Sequence, residues 1–161
     1  MATQPTPGAD PVTLVWADHV ADALCRTWQF QHCAVFLYDP LVDALRLVGQ
    51  RWGAGEDTGT VVVGDWLVPL HGSVCGRVFR TGAPVLVPDA RYDPDYRSFP
   101  GGTSRSEAAV PILVDGGPIG VINVESSRAN AYGIADIDRL LEAADIAGRT
   151  CPAGARRSVP G

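Results

Sequence analysis

The chain has 161 residues, enough for one hydrophobic core, and its 46% hydrophobic and 19% charged residues are the balance of a water-soluble globular domain. A formal net charge of −5, with arginines scattered along the chain, excludes a general nucleic-acid surface. No apolar run reaches the ~20 residues needed to cross a bilayer, and the polar, proline-rich Met1–Pro11 lacks the regions of a signal peptide, so a cytoplasmic protein without a membrane partner is expected.

Residues 1–11 and 149–161 carry few large apolar groups and are expected to be disordered tails around a domain at 12–148. From Val12 to Trp28, Val12, Val15, Trp16, His19, Val20, Ala23, Leu24 and Thr27 recur at helical spacing as one apolar stripe. Cys33–Tyr38 and Ala44–Trp52 read as a hairpin of strands, with Leu45, Leu47 and Gly49 opposite Arg46, Val48 and Gln50. Thr60–Val63, continuing through Trp66 to Pro69, reads as a third strand. Ser73–Arg80 is a short helix, with Ser73 as its cap and Gly82 as its stop. Pro84–Val87 suits a sheet edge, because proline donates no ladder hydrogen bond.

Ser106–Val114 and Ile119–Glu125 pair across the turn signal Asp115-Gly116-Gly117. A last helix is expected over Ile134–Ala147, with Ile134, Ile137, Leu140, Leu141 and Ala144 on one face, Gly133 as cap and Gly148 as stop. Strands bracketed by helices, without a βαβ rhythm, give an α+β class on an antiparallel sheet. Cys25, Cys33, Cys75 and Cys151 form no CxxC and read as buried free thiols. His19 reads as a helix-face residue and His32 as a loop residue. No His and carboxylate cluster suggests a metal site.

Gly72-Ser-Val-Cys-Gly76, Thr81-Gly-Ala-Pro84, Val87-Pro-Asp89, Ser106-Glu107, Val110-Pro111, Gly120-Val-Ile-Asn-Val-Glu-Ser126 and Asn130-Ala-Tyr-Gly-Ile-Ala-Asp136, in that order, resemble a GAF domain over about Asp10 to Gly148. The resemblance implies terminal helices on one face of a twisted antiparallel sheet. It implies a short helix, with Cys75 and Phe79, and a lid at 89–104 closing a ligand pocket on the other. It also implies a homodimer through the terminal helices, in whose layer Trp16 and Trp28 pack.

Strand parity adds detail. If Ile122 and Val124 face the terminal helices, then Glu107, Asn123 and Glu125 share the opposite face. Either they converge on the cavity, or the two glutamates end their strands in water. The lid mixes Tyr92, Tyr96 and Phe99 with Arg91, Arg97 and aspartates. It either covers an anionic or heteroaromatic ligand or packs on itself through Arg–Asp pairs and turns. The candidate ligand-binding set is Trp66, Cys75, Phe79, Tyr92, Tyr96, Phe99, Arg105, Glu107, Asn123 and Glu125.

The chemistry of particular GAF subfamilies is only partly present. Free methionine-R-sulfoxide reductases carry a similar Gly-x-x-Val-Cys-Gly, but need a second thiol in the lid, and Tyr92–Arg105 contains no cysteine. The lysine that locks cyclic-nucleotide pockets is replaced by Val124. The cysteine needed for bilin attachment is missing from Gly101–Ser106, and His71 is the candidate that a haem would have. The cofactor therefore stays unassigned. The leading expectation is a small-molecule-binding or redox-sensing module acting through a separate partner protein. A dimeric adaptor with a non-functional pocket is the alternative, and a sulfoxide reductase stands third.

Overall fold

In the computed structural model, which describes residues 9–27, 31–53, 63–99 and 101–156, helix α1 (Pro11–Thr27) precedes strands β1 (His32–Asp39), β2 (Ala44–Trp52) and β3 (Leu67–Pro69). Helix α2 (Val74–Thr81), strands β4 (Val85–Val87), β5 (Ser106–Val114) and β6 (Gly117–Ser126), and helix α3 (Ile134–Thr150) follow. The strands form one antiparallel sheet in the order β3-β2-β1-β6-β5-β4, so the α+β architecture is the one expected. Trp28, the Thr60–Val62 part of the anticipated third strand and Pro100 lie outside the described residues.

Alternation divides the sheet into two buried faces. Cys33, Val35, Leu37, Ala108, Val110, Ile112, Ile122 and Val124 pack beneath α1 and α3. Ala34, Phe36, Tyr38, Leu45, Leu47, Ala109 and Val121 face α2 on the other side. Parity therefore places Glu107, Asn123 and Glu125 on the α2 side, as anticipated. The β5–β6 hairpin turns at Asp115 and Gly116, both with positive φ (52° and 79°), the conformation that a tight two-residue hairpin requires. Helix α2 begins at Ser73, whose hydroxyl accepts from the Gly76 amide at 2.9 Å, and ends at left-handed Gly82.

Several expectations are corrected. The apolar stripe of α1 is corrected in part: Trp16 and Leu24 are buried as expected, but Val12 and Val15 are 64% and 56% exposed, while Ala17 and Ala21 are fully buried. The cause is close approach, because a Cβ on Gly49 of β2 would lie 2.7 Å from the Ala17 carbonyl oxygen, leaving room only for small residues between helix and sheet. Cys25 is exposed, one position around the helix from buried Leu24, whereas Cys33, Cys75 and Cys151 are buried. Ile134 points outward at 72% exposure, at the open first position of α3.

Gly148 does not stop α3. The helix runs through Thr150, and Gly148 lets its backbone pass against the Leu113 carbonyl of β5. Residues 149–156 of the expected tail pack on the domain, and 157–161 lie outside the described residues. Cys151 and Ala155 are buried in the core, and Ala153–Ala155 form a 3-10 turn. At the other end, Asp10 caps α1 by accepting from the Val12 and Thr13 amides, both at 3.0 Å. Among the described residues, the third strand covers Leu67–Pro69, with Val63–Asp65 in a turn and Trp66 ahead of the strand.

Candidate functional site

A bulge in β2 decides what reaches the α2 side of the sheet. Val35 pairs with Gly49 but Phe36 pairs with Leu47, so Val48 is the extra residue and the alternation reverses there. Leu45 and Leu47 face α2 as read from the sequence. Gly49 turns to α1 instead of joining them, and Gln50 turns the other way, toward the α2 side.

The resulting register aligns side chains in rows across the strands. Glu107 of β5 pairs with Glu125 of β6, which pairs with His32 of β1, which pairs with Trp52 of β2. In the next row, Asn123 lies between Ala109 and Ala34, both too short to cover its amide. His32 is fully buried, so it is a strand residue at the site and not the loop residue expected. Its Nε2 lies 2.8 Å from Gln50 Oε1, and its ring packs 4.3 Å from Trp52 and 4.7 Å from Phe99. The sequence signal for it was weak, because His32 stands just before the apolar run on which the strand was recognised.

These rows floor a cavity of about 280 Å³ roofed by α2 and the loop before β5, with Phe36, Trp66, Val68, Val74, Cys75, Arg97, Ser98, Glu107, Asn123 and Glu125 in its lining. Glu107, Asn123 and Glu125 are 3%, 4% and 2% exposed, so the convergent reading holds and the solvated one fails. Asn123 Nδ2 donates to Glu107 Oε1 at 3.0 Å, and Asn123 Oδ1 is buried without a hydrogen-bond partner among the described residues. Cys75 Sγ stands 3.7 Å from Glu107 Oε1. Tyr96 OH donates to Glu125 Oε1 at 3.0 Å, and His32 Nδ1 stands 3.7 Å from Glu125 Oε2.

Electrostatics follow from burial. Desolvation, then the charge of Glu125, push the Glu107 carboxyl up to about 8. Desolvation, then the charges of Glu107 and Glu125, push the Cys75 thiol well above its ordinary value. Burial and Glu125 likewise raise Tyr96.

The other candidates divide. Trp66 lines the cavity, 5.5 Å from Phe36 edge to face. Phe99 is buried against Trp52 and His32 behind that wall. Phe79 stacks on Tyr38 at 5.1 Å within the core and does not line the cavity. Tyr92 is 78% exposed beneath Arg91 and points away, because its 3-10 turn at Ala90–Tyr92 sets it on the outer surface. Arg105 is bound to Asp89 at 3.2 Å, outside the cavity lining.

Much of the lid is held by its own ion pairs. Arg91 bonds Asp89 at 2.7 Å, and Arg77 of α2 bonds Asp93 at 2.7 Å and Asp95 at 3.1 Å. His19 and His71 are exposed, and no cluster able to hold a metal occurs among the described residues. Among them too, no helix is long and apolar enough to cross a membrane.

Solved structures with this fold include the type II free methionine-R-sulfoxide reductase from Thermoplasma acidophilum, at TM-score 0.71 and 22% identity over 85% of this chain and 90% of that one. The free methionine-R-sulfoxide reductase from Neisseria meningitidis, solved in complex with its substrate, aligns at TM-score 0.70 and 23% identity over 92% and 95%. The GAF domain of a phosphoenolpyruvate-protein phosphotransferase from Coxiella burnetii aligns at TM-score 0.73 and 18% identity over 88% and 83%. At such identities the likeness is one of fold. Comparison with curated protein sequences finds no match. The sequence profile of the GAF domain matches residues 16–150, nearly all of the folded chain, and the protein belongs to the GAF domain family.

Proposed function

We propose that the protein is a ligand-binding signalling module that holds a small molecule between α2 and the sheet and acts through a separate partner protein. The observation that carries this reading is Asn123 Oδ1, buried and unbonded beside two buried carboxyl groups at an open cavity. A buried polar atom left unpaired costs about 1–3 kcal/mol, a cost that a bound ligand would offset. The Tyr96–Glu125 hydrogen bond joins lid to floor, so a ligand that competes for Glu125 would have different affinities for the two lid arrangements, as a population shift requires.

The non-enzymatic reading is preferred to the reductase one on chemical grounds. Thiol attack needs a thiolate, and burial with two neighbouring acids opposes ionisation of Cys75. Residues 89–105 supply no second cysteine.

The test is a thermal-shift screen of small anions, amines, amino acids, nucleotides and haem, together with a crystal structure of protein purified from its native host. At least one class should raise the melting temperature, and that shift should vanish in Asn123→Leu. No stabilisation by any class, with a cavity empty of density, overturns the reading.

An adaptor role has its own support. A groove of about 850 Å³ between α1 and α3 is lined by Val12, Val15, Trp16, Val20, Ala143 and Ile146. We propose this surface as the homodimer contact.

A further inference from the structure

The polar groups buried at the cavity floor are mainly acceptors. Glu107 and Glu125 face each other across β5 and β6, and Asn123 Oδ1 lies beside them without a partner. The guanidinium groups nearby do not reach the floor: Arg77 holds Asp93 and Asp95, and exposed Arg97, at the rim of the lining, donates through Nε to the Gly72 carbonyl. Of the described residues, His32 is the basic side chain that meets the floor, 3.7 Å from Glu125. Even a protonated imidazole would balance one carboxylate of two. The wall above is aromatic, made by Phe36 and Trp66.

We propose that the cavity takes a small organic monocation, an arylalkyl- or alkylammonium without a carboxylate. Its three N–H donors are shared among Glu107, Asn123 Oδ1 and Glu125, and its body rests against Trp66 and Phe36. This rests on the reading of the cavity as a ligand site. An anion would add to two buried carboxyl groups. A zwitterion would bring a carboxylate that finds an apolar wall or must reach Arg97 at the exposed rim. The volume of about 280 Å³ lies at the lower edge of the roughly 300–1,000 Å³ of pockets for drug-sized ligands, which suits a compact amine.

In the free protein a proton occupies the cation's place. Glu107 is faced by Cys75 and Arg77 from α2, by Asn123 and Glu125 from β6, and by Asp93 and Tyr96 from the lid, with His32 beyond Glu125. In this setting its carboxyl is pushed up to about 8, chiefly by burial. A cation seated on Glu107 displaces the proton, so binding tightens as pH rises toward 8.

The test is calorimetric titration of the full chain with four probes that share a phenylalkyl body: phenethylammonium, 2-phenylethanol, phenylalanine and 3-phenylpropionate. Phenethylammonium should bind at least tenfold more tightly than each of the others, and should tighten roughly fiftyfold from pH 6 to pH 8. Glu125→Gln should weaken it tenfold or more, and Glu107→Gln should flatten the pH dependence. Buffers of different ionisation enthalpy should show proton release on the unmodified protein, a readout independent of how the variants fold.

The inference is overturned if the alcohol, the amino acid or the carboxylate binds as well as the amine, or if none of the four binds. Stabilisation by some other class in the thermal-shift screen would then leave the ligand-site reading standing. Failure of every class removes both.

Discussion

Glu107 is the buried carboxyl whose charge changes within the ordinary working range of pH. Its carboxyl, ordinarily near 4.5, sits at about 8 in the folded chain because burial and the Glu125 charge penalise ionisation. Below about 4.5 it is protonated in both folded and unfolded states and stability does not depend on it. As pH climbs toward 8 the unfolded chain ionises first, so stability falls, and the loss is complete above the folded value. Without ligand, the melting temperature should therefore drop by several degrees between pH 5 and pH 9. Glu107→Gln should remove most of that slope and leave the variant more stable than the parent at pH 9, as followed by scanning calorimetry. An unchanged slope would mean that the carboxyl is solvated. Cys75 shares the environment: burial, then the charges of Glu107 and Glu125, hold its thiol well above the ordinary value.

The helices and strands differ in how legible they were, and the reason is the size of the residues at their contacts. In β5 and β6, regular two-residue parity over Ser106–Ile112 and Gly120–Ser126 placed Glu107, Asn123 and Glu125 correctly. In α1 the large residues were taken as the buried stripe, but close packing on Gly49 selects Ala17 and Ala21 for the inner face and turns Val12 and Val15 outward. A small residue contributes little to an apolar pattern, although it permits the tightest contact. Gly148 misled in the same way: glycine signals a helix end, and here it makes room for β5. Gly148→Ala would ordinarily favour a helix by up to ~1 kcal/mol. Here the new methyl meets the Leu113 carbonyl, so the substitution should cost about 1–3 kcal/mol and lower the melting temperature. A rise would show that α3 can lift from the sheet.

For the whole molecule, the sheet is covered on both faces and the faces carry different business: apolar packing and the proposed dimer contact under the terminal helices, polar groups and the cavity under α2. Val15 and Ile146 are 56% and 54% exposed on the groove between α1 and α3. Val15→Glu combined with Ile146→Glu should convert a dimer to a monomer in light scattering, while changing probe binding in the cavity little. A parent protein that is already monomeric removes that proposal. The cavity itself was half legible: the motifs placed its acids and Cys75, but His32 and Gln50 back Glu125 through pairing across β1 and β2 that no local pattern announces. Tyr92 and Phe79 have the chemistry of ligand contacts without the position.

The extra residue at Val48 also has an evolutionary consequence. Because β2 changes face at that point, the chemistry beside Glu125 depends on a count of residues as well as on their identities. Deleting Val48 would remove the bulge but keep Leu47 opposite Phe36 and Gly49 opposite Val35, so Gln50 would stay on the α2 side with the His32 ring that it now holds at 2.8 Å, whereas drawing Val48 into the regular ladder would turn Gln50 toward α1. A relative could thus gain or lose one residue in β2 and still keep Gln50 beside His32, provided that a bulge takes up the difference.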